Sequence, residues 1–305
     1  MSTSAATPRV FVLGSTNTDM VISGERIPSP GETVSGGRFL MNPGGKGANQ
    51  AIAVARLLSQ GSCVYIGKVG DDLFGHESQE RFRTEGMDVR LAVDSENASG
   101  TALILVDAHG QNCISVALGA NGTLSPEDIR PRLADIAGAS ALLLQLETPM
   151  ETVCLAAKLA HDAGVPVFLN PAPATELPAK LYPLLQWITP NESEAELLTG
   201  VPVTDEAGAR KAAEVLMSRG VKNVLITMGS RGCWCSVTGE VHPANKVKAV
   251  DCVAAGDTFN GAFAVALAEG LPCRDAIAFA QEAAGISVTR PGAQSSIPYR
   301  REMSR

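Results

Sequence analysis

Short apolar runs alternate along this chain with stretches whose apolar residues recur at helical spacing. The runs are residues 10–13, 63–66, 141–146, 165–169, 187–189 and 224–227. Nearly every position within them is apolar, so both faces of each predicted strand must be buried, as in a parallel sheet covered from both sides. Ala48, Ile52, Ala55 and Leu58 repeat with a helix's period, and residues 150–163, 207–219, 259–269 and 275–287 read as further helices. The predicted fold class is α/β, a central, mainly parallel sheet with helices on both faces.

Two segments depart from this rhythm. Residues 19–40 carry Pro and Gly at short intervals without a helical period. Residues 101–106 and 113–118 are strand-like runs joined by Asp107-Ala108-His109-Gly110, a predicted hairpin. Parallel strands need crossover helices, and these pieces have none. They predict a small separate β layer, a lid over the strand ends. The division that follows assigns 1–16, 41–98 and 122–305 to the α/β body, and 17–40 with 99–121 to the β lid.

Composition narrows the function classes. A net charge of −7 and the lack of a basic block argue against nucleic acid and anionic membranes as partners. The first residues lack the charged-then-apolar order of a secretory signal, and no apolar run has the length of a bilayer span. The seven cysteines are odd in number and dispersed, unlike a disulfide framework. The expected location is the cytoplasm. Cys233 and Cys235 alternate on one strand without partners at ligand spacing, so buried thiols are expected there rather than zinc ligands. His76, His109, His161 and His242 share no metal or triad spacing.

Candidate chemistry lies in turns that follow the strands. Ala254-Ala255-Gly256-Asp257-Thr258-Phe259-Asn260-Gly261 opens a helix with small residues. Free N–H groups at such a start favour an anion, and Asp257 can take a proton from a hydroxyl nucleophile while they stabilise a transferring phosphoryl group. The bland alternative is that Asp257 only caps the helix. In Asn42-Pro43-Gly44-Gly45-Lys46-Gly47-Ala48-Asn49-Gln50, the glycine pair permits close contact with a polar ligand, and Lys46 and Asn49 add donors. The spacing is that of neither a Walker A loop nor a Gly-x-Gly-x-x-Gly dinucleotide fingerprint, which counts against a dehydrogenase. Asn191 and Glu194, just past an apolar strand, suit a hydrated Mg²⁺ or simply the acid-rich start of a helix. Residues 227–232 form another turn, either along a nucleotide or in a plain hairpin. Asn17 and Asp19 suit sugar hydroxyls, or any turn.

Taken together, the motifs resemble those of the ribokinase branch of the PfkB-type carbohydrate kinases. Gly44–Gln50 matches that family's first signature and Asp251–Gly261 its second. Residues 17–19, 31–33, 145–147, 170–173, 189–192 and 227–230 follow in family order. Pro43 and Gln281 depart from the usual pattern, the latter where a His or Asn commonly faces adenine.

The resemblance implies a ribokinase-like fold and roles for residues of this sequence. Asn17, Asp19, Gly45, Lys46, Asn49 and Glu147 would hold a sugar, with Asp257 as the base and the backbone of Ala254, Ala255 and Gly256 as the anion hole. Asn191 and Glu194 would act through Mg²⁺ and its waters, while Thr227, Ser230, Gly232, Gly256 and Gln281 would lie along ATP. Asp251, Val253, Ser287, Arg290, Gly292 and Ser296 would surround K⁺, largely through backbone oxygens. A homodimer clasped through the lid is also implied. The expected activity is ATP-dependent phosphorylation of D-ribose at its 5-hydroxyl, with 2-deoxyribose, another pentose or a nucleoside as alternative substrates. A catalytically silent sugar-binding regulator on the same fold would be marked by loss of the base, and Asp257 is present.

Overall fold

The computed structural model describes residues 7–304. From the N-terminus run β1 (Arg9–Leu13), β2 (Asn17–Ser23), β3 (Arg38–Gly44), α1 (Lys46–Leu57), β4 (Ser62–Gly70), α2 (Leu73–Thr84) and β5 (Asp88–Asp94). Then come β6 (Gly100–Val106), β7 (Asn112–Ala117), α3 (Pro126–Arg132), β8 (Ala141–Leu144), α4 (Met150–Asp162), β9 (Val167–Leu169) and β10 (Trp187–Ile188). The C-terminal third holds α5 (Glu192–Thr199), α6 (Glu206–Ser218), β11 (Asn223–Thr227), β12 (Cys233–Cys235), β13 (Glu240–His242), α7 (Ala255–Ala268) and α8 (Cys273–Ser287).

Among the described residues, nine strands form one sheet in the order β13-β12-β11-β10-β9-β8-β1-β4-β5. Its pairs from β11 to β5 are parallel, and β12 and β13 add an antiparallel edge. Strand β1 shows why consecutive apolar residues were needed. Phe11 and Leu13 pack into a core with residues of α4 and α6, whereas Val10 and Val12 pack into another with residues of α1, α7 and α8. All four are fully buried, so the sheet is covered on both faces, as the α/β class requires.

A second sheet runs β3-β2-β6-β7. Its central pair, β2 with β6, is parallel and its outer pairs antiparallel, so the two insertions knit into one layer rather than two hairpins. The expected hairpin is present between β6 and β7. Large apolar residues on this layer remain exposed, including Ile22, Phe39, Met41, Leu103, Ile114 and Val116. Residues 1–6 and 305 of the span expected for the body lie outside the described residues. No helix among the described residues is long and apolar enough to cross a membrane.

Candidate active site

Strand order decides where a ligand can sit. The chain passes from β1 outward to β4 and β5, then returns to build β8, β9, β10 and β11 on the other side of β1. A crevice opens at the carboxyl ends of strands where the order reverses. The residues just past β1, β8 and β10 are Ser15 to Asn17, Gln145 to Glu147, and Thr189 to Asn191. They converge on that crevice with the first turn of α1.

The Gly44–Gly47 turn is tied to the crevice by packing as well as conformation. Gly45 has φ 90°, and a Cβ there would lie 2.8 Å from the Asn17 nitrogen and the Ser15 carbonyl oxygen. A Cβ at Gly47 would come within 2.5 Å of Gly14. Only glycine lets α1 begin this close to the end of β1. The Lys46 amide donates to Glu147 Oε2 (2.9 Å), which also accepts from the Ser15 hydroxyl (2.5 Å).

Asp257 is the third residue of α7, and Ala254 occupies the cap position in a left-handed conformation with φ 60°. Asp257 is therefore not the cap, which removes the bland alternative. Its carboxylate is buried and accepts from Asn49 Nδ2 (2.9 Å) and Gln50 Nε2 (3.1 Å), both on α1. The first helical bond of α7 runs from the Thr258 amide to the Ala254 carbonyl (2.8 Å), leaving the amides of Gly256 and Asp257 ahead of it without a helical partner. The Ala255 amide makes only a long bond to the Cys252 carbonyl (3.3 Å). A Cβ built on Gly256 would meet nothing within 4 Å, so this helix mouth faces open space.

Charges concentrate around Lys46. Burial alone would depress its pKa, but the carboxylates of Asp257, Glu147, Glu194 and Asp19 outweigh burial and hold it above its ordinary value. Asp257 is pushed up, chiefly by burial, against the opposing pull of Lys46, Asn49 and Gln50. Asp19 faces Gly44, where a Cβ would lie 2.2 Å from Oδ2, and its pKa rises from 3.8 to about 6 through burial and then the Glu147 charge, with Lys46 opposing. A raised carboxyl pKa means that the folded state binds the proton more tightly than the unfolded chain. The Asp19 contribution to stability therefore declines as pH rises from about 4 to about 6, and the full cost stands above that window. Asp19→Asn is expected to stabilise the sugar-free protein by about 1–3 kcal/mol at pH 7.5, and by nothing below pH 4. Urea unfolding of both proteins across that range checks the result.

The other expected residues fall into two neighbouring groups. Asn191 and Glu194 form a reciprocal capping box at the start of α5: Asn191 Oδ1 accepts from the Glu194 amide, and Glu194 Oε2 from the Asn191 amide, both at 2.8 Å. Glu194 is buried and pushed up by that burial, with Asn191 and Lys46 opposing. Thr227 bridges to Asn191, and residues 229–231 turn the chain from β11 back into β12, so the hairpin alternative for this segment is a structural fact. Gly232 has φ 99°, and a Cβ there would lie 1.9 Å from the His242 carbonyl oxygen. Gln281 donates through Nε2 to that same carbonyl (2.8 Å), which leaves its own oxygen for any further partner.

Beside α7, Asp251 accepts from the amides of Val253 and Gly292, each at 2.9 Å, and so joins two loops. Ser287 and Ser296 are fully buried, with hydroxyls bonded back to the Ala284 and Ala293 carbonyls. The Arg290 side chain pairs with Glu302 (2.6 Å), so only its backbone is available to this group.

Sequence reasoning missed the polar frame beneath these residues. Gln50 is fully buried and bridges Asp257 to Asn170, while its Oε1 accepts from Gln145 Nε2 (2.6 Å). A glutamine inside the apolar face of α1 was a readable signal. Asn121 is fully buried as well, accepting from the Thr16 amide (2.8 Å) and donating to the Thr16 carbonyl (3.0 Å) and Asn17 Oδ1 (2.8 Å). Nothing local in the sequence marks Asn121, because its partners lie more than a hundred residues away.

The model of the pfkB family carbohydrate kinases matches residues 7–300. The chain belongs to the pfkB family. It is 47% identical over 294 residues to the ribokinase of Haemophilus influenzae, with 95% of each chain covered. The deoxyribokinase of Salmonella typhi, another relative, is 38% identical over 293 residues, again with 95% of each covered. The solved structure of Arabidopsis thaliana ribokinase complexed with ribose and ATP is 33% identical, with a TM-score of 0.88 and 97% of each chain covered. The expected ribokinase-like fold is thus shown.

Proposed function

We propose that this chain is an ATP-dependent kinase that phosphorylates D-ribose at its 5-hydroxyl, with Asp257 as general base. The observation that carries the reading is the meeting of Asp257 with a helix mouth that opens on free space, beside a turn rich in hydrogen-bonding groups. Asn49 adds support. Its amide nitrogen is spent on Asp257, and its Oδ1 is buried without a partner among the described residues. A buried acceptor left open beside a base suits a ligand hydroxyl. The relatives named ribokinase and the complex with ribose and ATP point to the same chemistry.

In this reading Asn17, Asp19, Gly45, Lys46, Asn49 and Glu147 hold the sugar hydroxyls, and Asp257 Oδ takes the proton from the attacking one. The backbone of Ala254, Ala255 and Gly256, with the free Asp257 amide, faces the charge that develops on the transferring phosphoryl oxygens. Thr227, Ser230, Gly232 and Gln281 line the ATP. Magnesium, when bound, offsets phosphate charge; Asn191 and Glu194 would hold it through water, and Glu194 Oε1 lies outside the capping box and is an oxygen of the kind that ion requires. Asp251, Val253, Ser287, Arg290, Gly292 and Ser296 would hold potassium, and the bonds from Asp251 to both loops fit a cation that stiffens them. Replacing K⁺ by Na⁺ is expected to lower kcat several-fold without changing the melting temperature, as a coupled assay and thermal scan would read; full activity in cation-free buffer contradicts the assignment.

The body takes 1–16, 41–98 and 122–305 and the lid 17–40 and 99–121, with β3 running on through 41–44 in the lid's sheet, and the lid closes over the sugar. Paired residues place Met20, Ile22, Phe39, Met41 and Leu103 on the face opposite Asp19. Four of these are largely exposed, which suits burial against a second copy's lid in a homodimer. Cytoplasmic residence fits substrates that are intracellular metabolites.

Gln50 holds the base through a buried amide, so Gln50→Met is expected to shift the acid limb of kcat/KM toward higher pH. Removing that donor raises the Asp257 pKa further, and the base then ionises later. A lowered plateau with an unmoved limb would indicate packing damage alone.

A second reading, a 2-deoxyribose kinase, is favoured by the similarity to a deoxyribokinase. Asp19 tips the choice toward ribose, since its two carboxylate oxygens can accept from a pair of adjacent hydroxyls. Steady-state rates on a panel of ribose, 2-deoxyribose, other pentoses and nucleosides, with product analysis by NMR, decide between them. A higher kcat/KM for 2-deoxyribose, or a product phosphorylated elsewhere than the 5-hydroxyl, overturns the first reading.

A further inference from the structure

Away from the crevice, two thiols touch. Cys235 on β12 and Cys273 at the first position of α8 bring their sulfurs to 3.6 Å, in direct contact and within hydrogen-bond reach for thiols. The two residues are 38 positions apart in sequence, so the contact is a product of the fold. Cys235 is buried, as is Cys233 two residues before it on the same strand face; Cys273 is partly exposed. We propose that Cys235 and Cys273 are an oxidisable pair, converted by a peroxide-class oxidant into a disulfide that fastens the β12–β13 edge to α8.

The geometry supplies what the reaction needs. A disulfide shortens the sulfur separation to about 2.05 Å, a movement of about 1.5 Å from the present contact. Cys273 offers the surface at which the oxidant arrives, and Cys235 waits directly behind it. The hydrogen bond between the two sulfurs, against the opposing effect of burial and with help from the backbone of Val237 and Thr238, brings Cys235 down to about 7. The same bond, with burial, pushes Cys273 up, so the proton of the pair rests on Cys273 and passes to the Cys235 thiolate as Cys273 meets the oxidant. The titratable neighbours on this edge are Cys233, whose thiol burial pushes up, and Glu240, His242 and Arg274, which link to one another rather than to the thiols.

The steps balance. The Cys273 thiolate attacks one peroxide oxygen, the O–O bond breaks, and the departing hydroxide takes a proton to become water. Cys235 then attacks the Cys273 sulfenic sulfur, the S–O bond breaks, and hydroxide leaves with the Cys235 proton as a second water. Two thiols and one peroxide give one disulfide and two waters.

One consequence rests on the proposed kinase reading. Gln281 lies on the same helix as Cys273 and bonds to the His242 carbonyl of β13, so the disulfide constrains both sides of the suggested nucleotide edge. The linked protein is expected to show a KM for ATP raised about two- to fivefold and an unchanged sugar KM.

Peptide mapping tests the pair itself without reference to activity. The reduced full-length protein is titrated with hydrogen peroxide, alkylated, and digested without reductant. The expected result is a Cys235–Cys273 linked peptide that forms before the exposed Cys113 and Cys252 are modified, and that is lost in Cys235→Ser, in Cys273→Ser and on adding dithiothreitol. Oxidation of Cys113 or Cys252 with both pair thiols still alkylatable overturns the proposal, as does sulfinic acid at Cys273 without a link. Fully linked protein with an unchanged KM for ATP overturns the coupling to the nucleotide edge and leaves the disulfide standing.

Discussion

Asp257→Asn is expected to lower turnover by about two to four orders of magnitude while sugar affinity stays within a few-fold. The substitution keeps the side chain's size and removes its ability to accept a proton. Both carboxylate oxygens accept from amides, Asn49 Nδ2 and Gln50 Nε2, so an asparagine must turn its own NH₂ toward one of them and forfeit that bond. The loss is about 1 kcal/mol, and it is offset by removal of a charge that burial already disfavours. Unfolding midpoints should therefore match closely, and the whole effect should appear in kcat. Equal losses in binding and turnover, measured by calorimetry and initial rates, would falsify the base assignment.

The second large effect is expected at a residue that touches nothing. Gly256→Ala should leave stability unchanged or raise it by up to about 1 kcal/mol, because alanine is the better residue in a helix and nothing beyond its chain neighbours and its own helix backbone lies within 4 Å of the new methyl group. Turnover should nevertheless fall about 10- to 1000-fold. The methyl enters the open space at the mouth of α7, where the amides of Gly256 and Asp257 have no helical partner and the proposed phosphoryl group would approach. Stability and activity thus move in opposite directions, which a general packing defect cannot mimic. A variant with wild-type kcat would show that phosphate does not approach this helix mouth.

Much of this site was legible because its chemistry is local. The glycine pair before Lys46, the small residues before Asp257 and the acids after Pro190 each lie within a few residues of a predicted strand or helix end. The family resemblance then brought the four turns to one ligand. Particular assignments changed on folding. Asp257 was read against a capping alternative and proved to be the third residue of α7, with a strained Ala254 as the cap. Residues 227–232 form a hairpin turn as well as lying next to Asn191. The lid is a single sheet with a parallel central pair, which no local pattern of β2 or β6 encodes.

By itself the amino-acid order determined which segments become strands buried on both faces, which become helices, and which short turns carry the reactive groups. Those properties follow from side-chain periodicity and backbone preference, both of which act over a few residues. Only the tertiary structure decided the frame that holds the groups: Gln50 between Asp257 and Gln145, Asn121 beneath Asn17, and Cys235 against Cys273. Each of these contacts joins residues tens to hundreds of positions apart, and its energy depends on burial and on a partner that packing alone supplies. A polar group's value in water is small, and inside a folded core the same group sets the charge state of its neighbour.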